Sequence, residues 1–214
     1  LAGDTISKRL HFYVQYMRHL MLRQYSRRLL PHPWVRVDKS FDTKLAILIL
    51  DSFPVKVTTD VINGERLSDE YRLYVTKTKT PQIAELFANY NTDEAKSWFS
   101  TFLGVDCTQG HLRIELCTDS IGFYLNRHID WPEKIMTFQT YLGSGDPIMG
   151  TSLYNDDNSL YATVPFVHNT GWITDNQSKV MHGVERGAVN SVRHSIIINY
   201  VTDGWRETNQ LYNN

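Results

Sequence analysis

His128-Ile129-Asp130 sets an imidazole and a carboxylate two residues apart. On an extended strand alternate side chains share a face, so both can address one metal ion. Alone the pattern is weak, because so short a motif recurs by chance in a chain with eight histidines. His182 lies 54 residues later, in the strand-like stretch Lys179-Val-Met-His-Gly-Val-Glu185. A histidine among Val180, Met181 and Val184 is costly to bury without a partner, and a satisfied core histidine accounts for it in isolation. The three residues together form a two-His, one-carboxylate set. Such a set leaves coordination positions open and suits non-haem Fe(II) that must bind oxygen and a cosubstrate. A zinc hydrolase using the same three ligands is the competing metal chemistry.

Arg193 follows in Ser191-Val-Arg-His-Ser195, ahead of Ile196, Ile197 and Ile198. An arginine in so apolar a strand needs an acceptor, and a bidentate carboxylate is the natural one. Ser195 shares its face and completes a clamp. A structural salt bridge explains Arg193 taken by itself. The order His128-x-Asp130, His182, Arg193 resembles that of the Fe(II)/2-oxoglutarate-dependent oxygenases, whose pattern is His-x-Asp, a distal His, then Arg or Lys about ten residues on. Asp119-Ser-Ile-Gly-Phe-Tyr-Leu-Asn-Arg-His-Ile-Asp130 resembles the approach to the iron in their prolyl-hydroxylase-like branch. Lys134-Ile-Met-Thr-Phe-Gln-Thr-Tyr-Leu142 resembles the strand that follows it, with Tyr141 at the position that bonds the cosubstrate's far carboxylate. Gly150-Thr-Ser-Leu-Tyr154 is similar to a segment of uncharacterised bacterial members. Arg193-x-Ser195 is similar to the clamp of plant and fungal small-molecule oxygenases. The resemblance covers 111–202 well, 40–110 in outline and 1–39 not at all.

The resemblance implies a mainly β fold with flanking α-helices: a double-stranded β-helix (a jelly-roll, cupin-like core) with helices from the first half packed outside the larger sheet. It implies Fe(II) on His128, Asp130 and His182, and 2-oxoglutarate held by Arg193, Ser195 and Tyr141. It further implies consumption of O2, release of succinate and CO2, and hydroxylation of an unidentified substrate, with ascorbate sustaining activity. A non-catalytic jelly-roll binding module is the remaining alternative. Candidate substrate contacts are Arg113 and Glu115, which alternate with Cys117 on one strand, and Asn126, Arg127 and Trp131 beside the metal set. For the first three a polar outer face is the competing reading. Gln139 joins the list because it shares a strand face with Thr137 and Tyr141. His168 lacks an arginine at the matching distance and is not taken as a ligand.

The elements that must position these residues follow from periodicity. Short runs bounded by Gly, Asn, Asp or Pro predict strands at 111–117, 134–142, 160–166, 171–174, 179–184 and 192–202. Upstream, Leu45–Leu50 is a short apolar run whose length favours a buried strand, and Val55–Val61 suggests another, closed by an Asn63-Gly64 turn. Pro81 opens a helix over about 82–90, and Thr92 caps a second one that Gly104 stops. Ile6, Leu10, Val14, Met17, Met21 and Tyr25 recur at helical spacing, and the Pro31-His32-Pro33 cluster ends that helix.

That lead-in is basic. Eight of the 22 Lys and Arg but only two of the 23 Asp and Glu fall in 1–39, a balance of +6 against −7 for the rest. Residues 1–39 therefore read as a basic helical extension and 40–214 as the oxygenase domain. The helix either lies on a membrane surface or an anionic partner, or, more simply, packs on the acidic body. With a net charge of −1 over 214 residues, nucleic acid is not an expected partner. No apolar run approaches the roughly 20 residues of a membrane span. Two cysteines exclude a disulfide scaffold or a Cys-rich zinc module and fit a reducing, cytoplasmic setting.

Overall fold

Eleven strands and three α-helices make up the described part of the chain, which in this computed structural model is residues 25–28, 34–54 and 72–214. The strands are β1 (Tyr25–Arg28), β2 (Trp34–Val37), β3 (Arg72–Tyr74), β4 (His111–Asp119), β5 (Leu125–His128) and β6 (Lys134–Leu142), then β7 (Thr151–Tyr154), β8 (Leu160–Val164), β9 (Thr170–Asp175), β10 (His182–Val184) and β11 (Arg193–Val201). The helices are α1 (Thr43–Leu50), α2 (Pro81–Leu86) and α3 (Asp93–Leu103). The fold is mainly β with flanking α, as the sequence predicted.

Two antiparallel sheets result. The larger has seven strands in the order β1-β2-β9-β6-β11-β4-β3, and the smaller has four in the order β5-β10-β7-β8. Alternation along β4, β6 and β11 gives the large sheet two different faces. Leu112, Ile114, Leu116, Met136, Phe138, Ile196, Ile198 and Tyr200 pack with Ala46, Ile49, Ala84, Phe87, Tyr90 and Phe99 of the helical segments in one apolar core. The helices thus cover the larger sheet from outside, as expected. A second apolar cluster, with Trp34, Tyr141 and Trp172 of the large sheet and Leu153 and Val164 of the small one, joins the two sheets on the other side.

Local signals explain most boundaries. Thr92 Oγ1 accepts from Ala95 N, and Gly104 leaves α3 in the left-handed region at φ 78°. Pro81 begins α2, which stops at Leu86 and continues as a 3-10 turn over Ala88–Asn91, so the helix expected across 82–90 is split.

Two expectations are corrected. Leu45–Leu50 is not a strand but most of α1, because the Asp42 carboxylate accepts from Lys44 N and Leu45 N and nucleates a helix at once. Only Ala46 and Ile49 of that helix are buried, while Ile47 and Leu48 are half exposed. The lead-in is corrected at its end: Tyr25–Arg28 is strand, paired with β2, and β2 pairs with β9. The boundary drawn at residue 39 therefore falls behind two strands of the large sheet. The rest of the predicted basic helix, the Pro31-His32-Pro33 stop, the Val55–Val61 strand and the Asn63-Gly64 turn lie outside the described residues. Among the described residues no helix is long and apolar enough to cross a membrane. Cys107 and Cys117 are buried and outside any disulfide.

Candidate metal centre

β10 pairs with β5 so that His182 and His128 are direct cross-strand partners. The ladder closes the 54-residue sequence gap and brings the two imidazoles to a centroid separation of 4.4 Å. A register shift between His182 and Val184 and the absence of a side chain at Gly183 permit the approach, since a Cβ there would sit 2.6 Å from Leu125 O. Asp130 follows the end of β5, and one potential ligand atom from each of His128, Asp130 and His182 lies within 4.8 Å of the others.

Each member is held by a neighbour. His128 Nδ1 lies 2.8 Å from Asn126 O, and His182 Nδ1 lies 2.9 Å from Val180 O. A carbonyl only accepts, so both Nδ1 atoms carry the proton and both Nε2 lone pairs remain for a metal. Burial, reinforced by the neighbouring His182, pushes His128 down to about 4, so it is neutral and able to ligate at pH 7. Asp130 accepts from Lys134 Nζ and from Thr137 Oγ1, each at 2.6 Å. Burial opposes its ionisation, but Lys134, His182 and the Thr137 hydrogen bond together hold the carboxyl below the usual range. A neutral, preoriented imidazole and an ionised carboxylate fit a divalent first-row ion.

The cluster opens on a cavity of about 440 Å³. At one end stands Arg193, the first residue of β11 and fully buried. Its carboxylate partner is Asp119, directly opposite on β4 at 2.5 Å, and its Nε donates to Met149 O at 2.6 Å. The structural salt bridge that the sequence offered for Arg193 alone is therefore present. The guanidinium also lies 5.1 Å over the Tyr141 ring, with Ser195 Oγ 3.4 Å from Nη1 and Thr151 Oγ1 3.5 Å from Nη2. Tyr141 donates to Thr151, and both Thr151 and Trp172 donate to Gln139 Oε1. The indole can only donate, so it fixes the Gln139 amide orientation.

Arg113, Glu115, Asn126, Arg127, Trp131 and Gln139, the sequence-predicted substrate contacts, all line the cavity. Arg113 and Glu115 are buried, not the polar outer face that was the alternative, and Trp131 is 71% exposed. Cys117 is buried but is not on the cavity wall. His168 lies apart from the cluster and accepts from Gly143 N. Sequence reasoning missed Asp119, Lys134, Thr151, Trp172, Arg72 and Trp205. Asp119 and Thr151 both lay inside segments already singled out, whereas nothing local marked Arg72 or Trp205.

No family model matches the chain, and neither does any curated protein. Solved structures do. A prolyl-4-hydroxylase from Pseudomonas putida is 17% identical, with a TM-score of 0.55, over 81% of this chain and 95% of that one. A Trichoplax adhaerens prolyl hydroxylase, solved with a hypoxia-inducible-factor peptide fragment, is 12% identical with a TM-score of 0.57 over 93% of each chain. An oxidoreductase of the 2-oxoglutarate–Fe(II) oxygenase family from Burkholderia pseudomallei is 13% identical with a TM-score of 0.54, over 90% of this chain and 89% of that one. Through this likeness, and with a His-Asp-His cluster set in its cavity, the chain has the fold of the prolyl-hydroxylase-like Fe(II)/2-oxoglutarate oxygenases.

Proposed function

We propose that the chain is an Fe(II)- and 2-oxoglutarate-dependent dioxygenase that hydroxylates a substrate and releases succinate and CO2. The observation that carries this reading is the cluster itself: two Nδ1-protonated histidines and one ionised carboxylate, in a cavity that also holds a buried arginine. The two sheets then correspond to the halves of a double-stranded β-helix. Iron would be held by Nε2 of His128 and His182 and by Asp130. The far carboxylate of 2-oxoglutarate would meet Arg193, Ser195 and Tyr141. Bound together, iron, 2-oxoglutarate and O2 supply the oxidation: one oxygen atom enters succinate as CO2 leaves, and the other enters a substrate C–H bond.

The protein's own part is placement. Thr137 and Lys134 keep Asp130 charged and aimed. Trp172 packs against His182 with ring centroids 5.3 Å apart at 66° and would hold the imidazole in place. Asp119 neutralises Arg193, so a second carboxylate would be attracted mainly by directed hydrogen bonds from the guanidinium. A cytoplasmic setting goes with two cysteines, Cys107 and Cys117, that form no disulfide.

The test is succinate formation with Fe(II), ascorbate and 2-oxoglutarate, beside the visible metal-to-ligand absorption that 2-oxoglutarate induces on Fe(II). His182→Ala is expected to lose iron by metal analysis. Arg193→Lys, which keeps a charge for Asp119, is expected to keep iron and weaken 2-oxoglutarate. Absence of both succinate and the absorption band in the unmodified protein would refute the assignment.

A further inference from the structure

Two other cation–anion pairs bear on the cavity, and among the described residues each is matched one to one: part-buried Lys134 with Asp130, and buried Arg193 with Asp119. At the rim Arg127 faces Glu185 at 3.9 Å. On the β3–β4 side the count differs. Arg113 and Arg72 both converge on Glu115, Arg72 through Nη1 at 3.0 Å. Burial acts against ionisation of Glu115, yet the two arginines hold its carboxyl well below the usual range, so it stays charged. Among the described residues, two guanidiniums thus share one carboxylate and leave one positive charge beside the cavity. Arg72 Nε is also buried and reaches no acceptor among the described residues. A buried donor without an acceptor is expensive, and a group that retains one is poised for a ligand.

The pair is fixed in place. Arg113 lies between the Tyr74 and Trp205 rings, at 5.1 and 4.6 Å from their centroids. Its Nε donates to Gln210 Oε1 at 2.8 Å, and its Nη1 donates to Asn199 Oδ1 at 3.2 Å. Asn199 Nδ2 in turn donates to Thr137 Oγ1 at 2.8 Å, and Thr137 donates to Asp130. One hydrogen-bond chain therefore runs from Arg113 to the metal-facing carboxylate, so the arginines belong to the same rigid floor as the cluster.

We propose that Arg72 and Arg113 form an oxyanion subsite, and that the primary substrate carries a carboxylate or phosphate group that docks there while its reacting carbon faces the His-Asp-His cluster. Planar guanidiniums with several donors suit either head group, through paired hydrogen bonds and charge. Calling the ligand the primary substrate rests on the oxygenase reading; the capture of an anion does not.

The experiment titrates sulfate and, separately, benzoate into the full chain loaded with Mn(II) and saturating 2-oxoglutarate, by calorimetry at constant ionic strength. Sulfate stands for the tetrahedral head group and benzoate for the planar one. At least one is expected to bind saturably at one site, with the dissociation constant raised at least about ten-fold in Arg72→Gln and in Arg113→Gln, the loss of roughly one charge-assisted bond. Arg113→Gln risks the fold because of its many partners. Arg72, part-exposed at the sheet edge, supplies the variant that decides. Binding of neither probe, or equal affinity in Arg72→Gln, overturns the proposal. So does probe binding that appears only when 2-oxoglutarate is left out, which would give the arginines to the cosubstrate. The Fe(II) absorption band of the unmodified protein is recorded separately: its absence counts against the oxygenase reading and leaves the anion result intact.

Discussion

The two faces of the seven-stranded sheet are both buried, yet they are built from opposite materials. Under the helices β4, β6 and β11 present Leu112, Ile114, Leu116, Met136, Phe138, Ile196, Ile198 and Tyr200. One residue along, the same strands present Arg113, Glu115, Thr137, Gln139, Tyr141, Arg193, Ser195 and Asn199. The alternation does not separate core from water; it separates apolar packing from partnered polar groups. The apolar face draws its stabilisation from area and close fit, at about 25 cal/mol per Å². The polar face gains little net free energy from each bond, because pairing mostly offsets desolvation. What it gains is position: Arg193 Nε, Arg113 Nε and Thr137 Oγ1 are each aimed at a set acceptor, Met149 O, Gln210 Oε1 and Asp130 Oδ2.

That contrast can be broken from either side. Phe138→Ala on the apolar face is expected to cost about 3–5 kcal/mol of unfolding free energy, measured in urea, with Mn(II) affinity of the folded protein unchanged. A large loss of metal affinity at equal stability would mean that the faces are not separable. Thr137→Val on the polar face is expected to do the reverse. It keeps the volume, removes the bond to Asp130, and weakens Mn(II) by about 10–100-fold with a smaller stability loss. Unchanged affinity would make Thr137 a packing residue.

The smallest effect is one of pH. The native state holds His128 at about 4, below its unfolded value near 6.5. Between these values the unfolded chain binds the extra proton, so metal-free stability falls as pH drops from about 6.5 to 4, by at most about 1.4 kcal/mol per pH unit. Above 6.5 this contribution is fully present, and below 4 it is lost entirely. His128→Phe is expected to flatten that slope in urea titrations. The same slope in the variant would assign it to another group, such as His194, which burial also pushes down.

How much of this was legible in the sequence follows the range of the interactions. His128, Asp130, His182 and Arg193 stand out because ligand chemistry restricts residue type and strand geometry restricts spacing. Strands β6 and β11 and helix α3 were visible because alternation, a Thr cap and a Gly stop act within a few residues. Asp119 as the partner of Arg193, or Glu115 shared with Arg72, depends on which residues face each other across a ladder, and no local pattern fixes that register. Leu45–Leu50 misled because a short apolar run has no period to read, and the deciding atom was the side chain of Asp42 just before it.

The ladder between β5 and β10 has one further consequence. The four-stranded sheet is made of strands of three to five residues, the shortest of which carries His182. Sheets so small are marginal without reinforcement. An ion gripped by His128, Asp130 and His182 would tie these two strands together across 54 residues of chain, like a removable cross-link. The reagent of the reaction would then also be the rivet of the smaller sheet. Stripping it would slacken that wall while the broad sheet behind it, anchored to its helices, kept its shape.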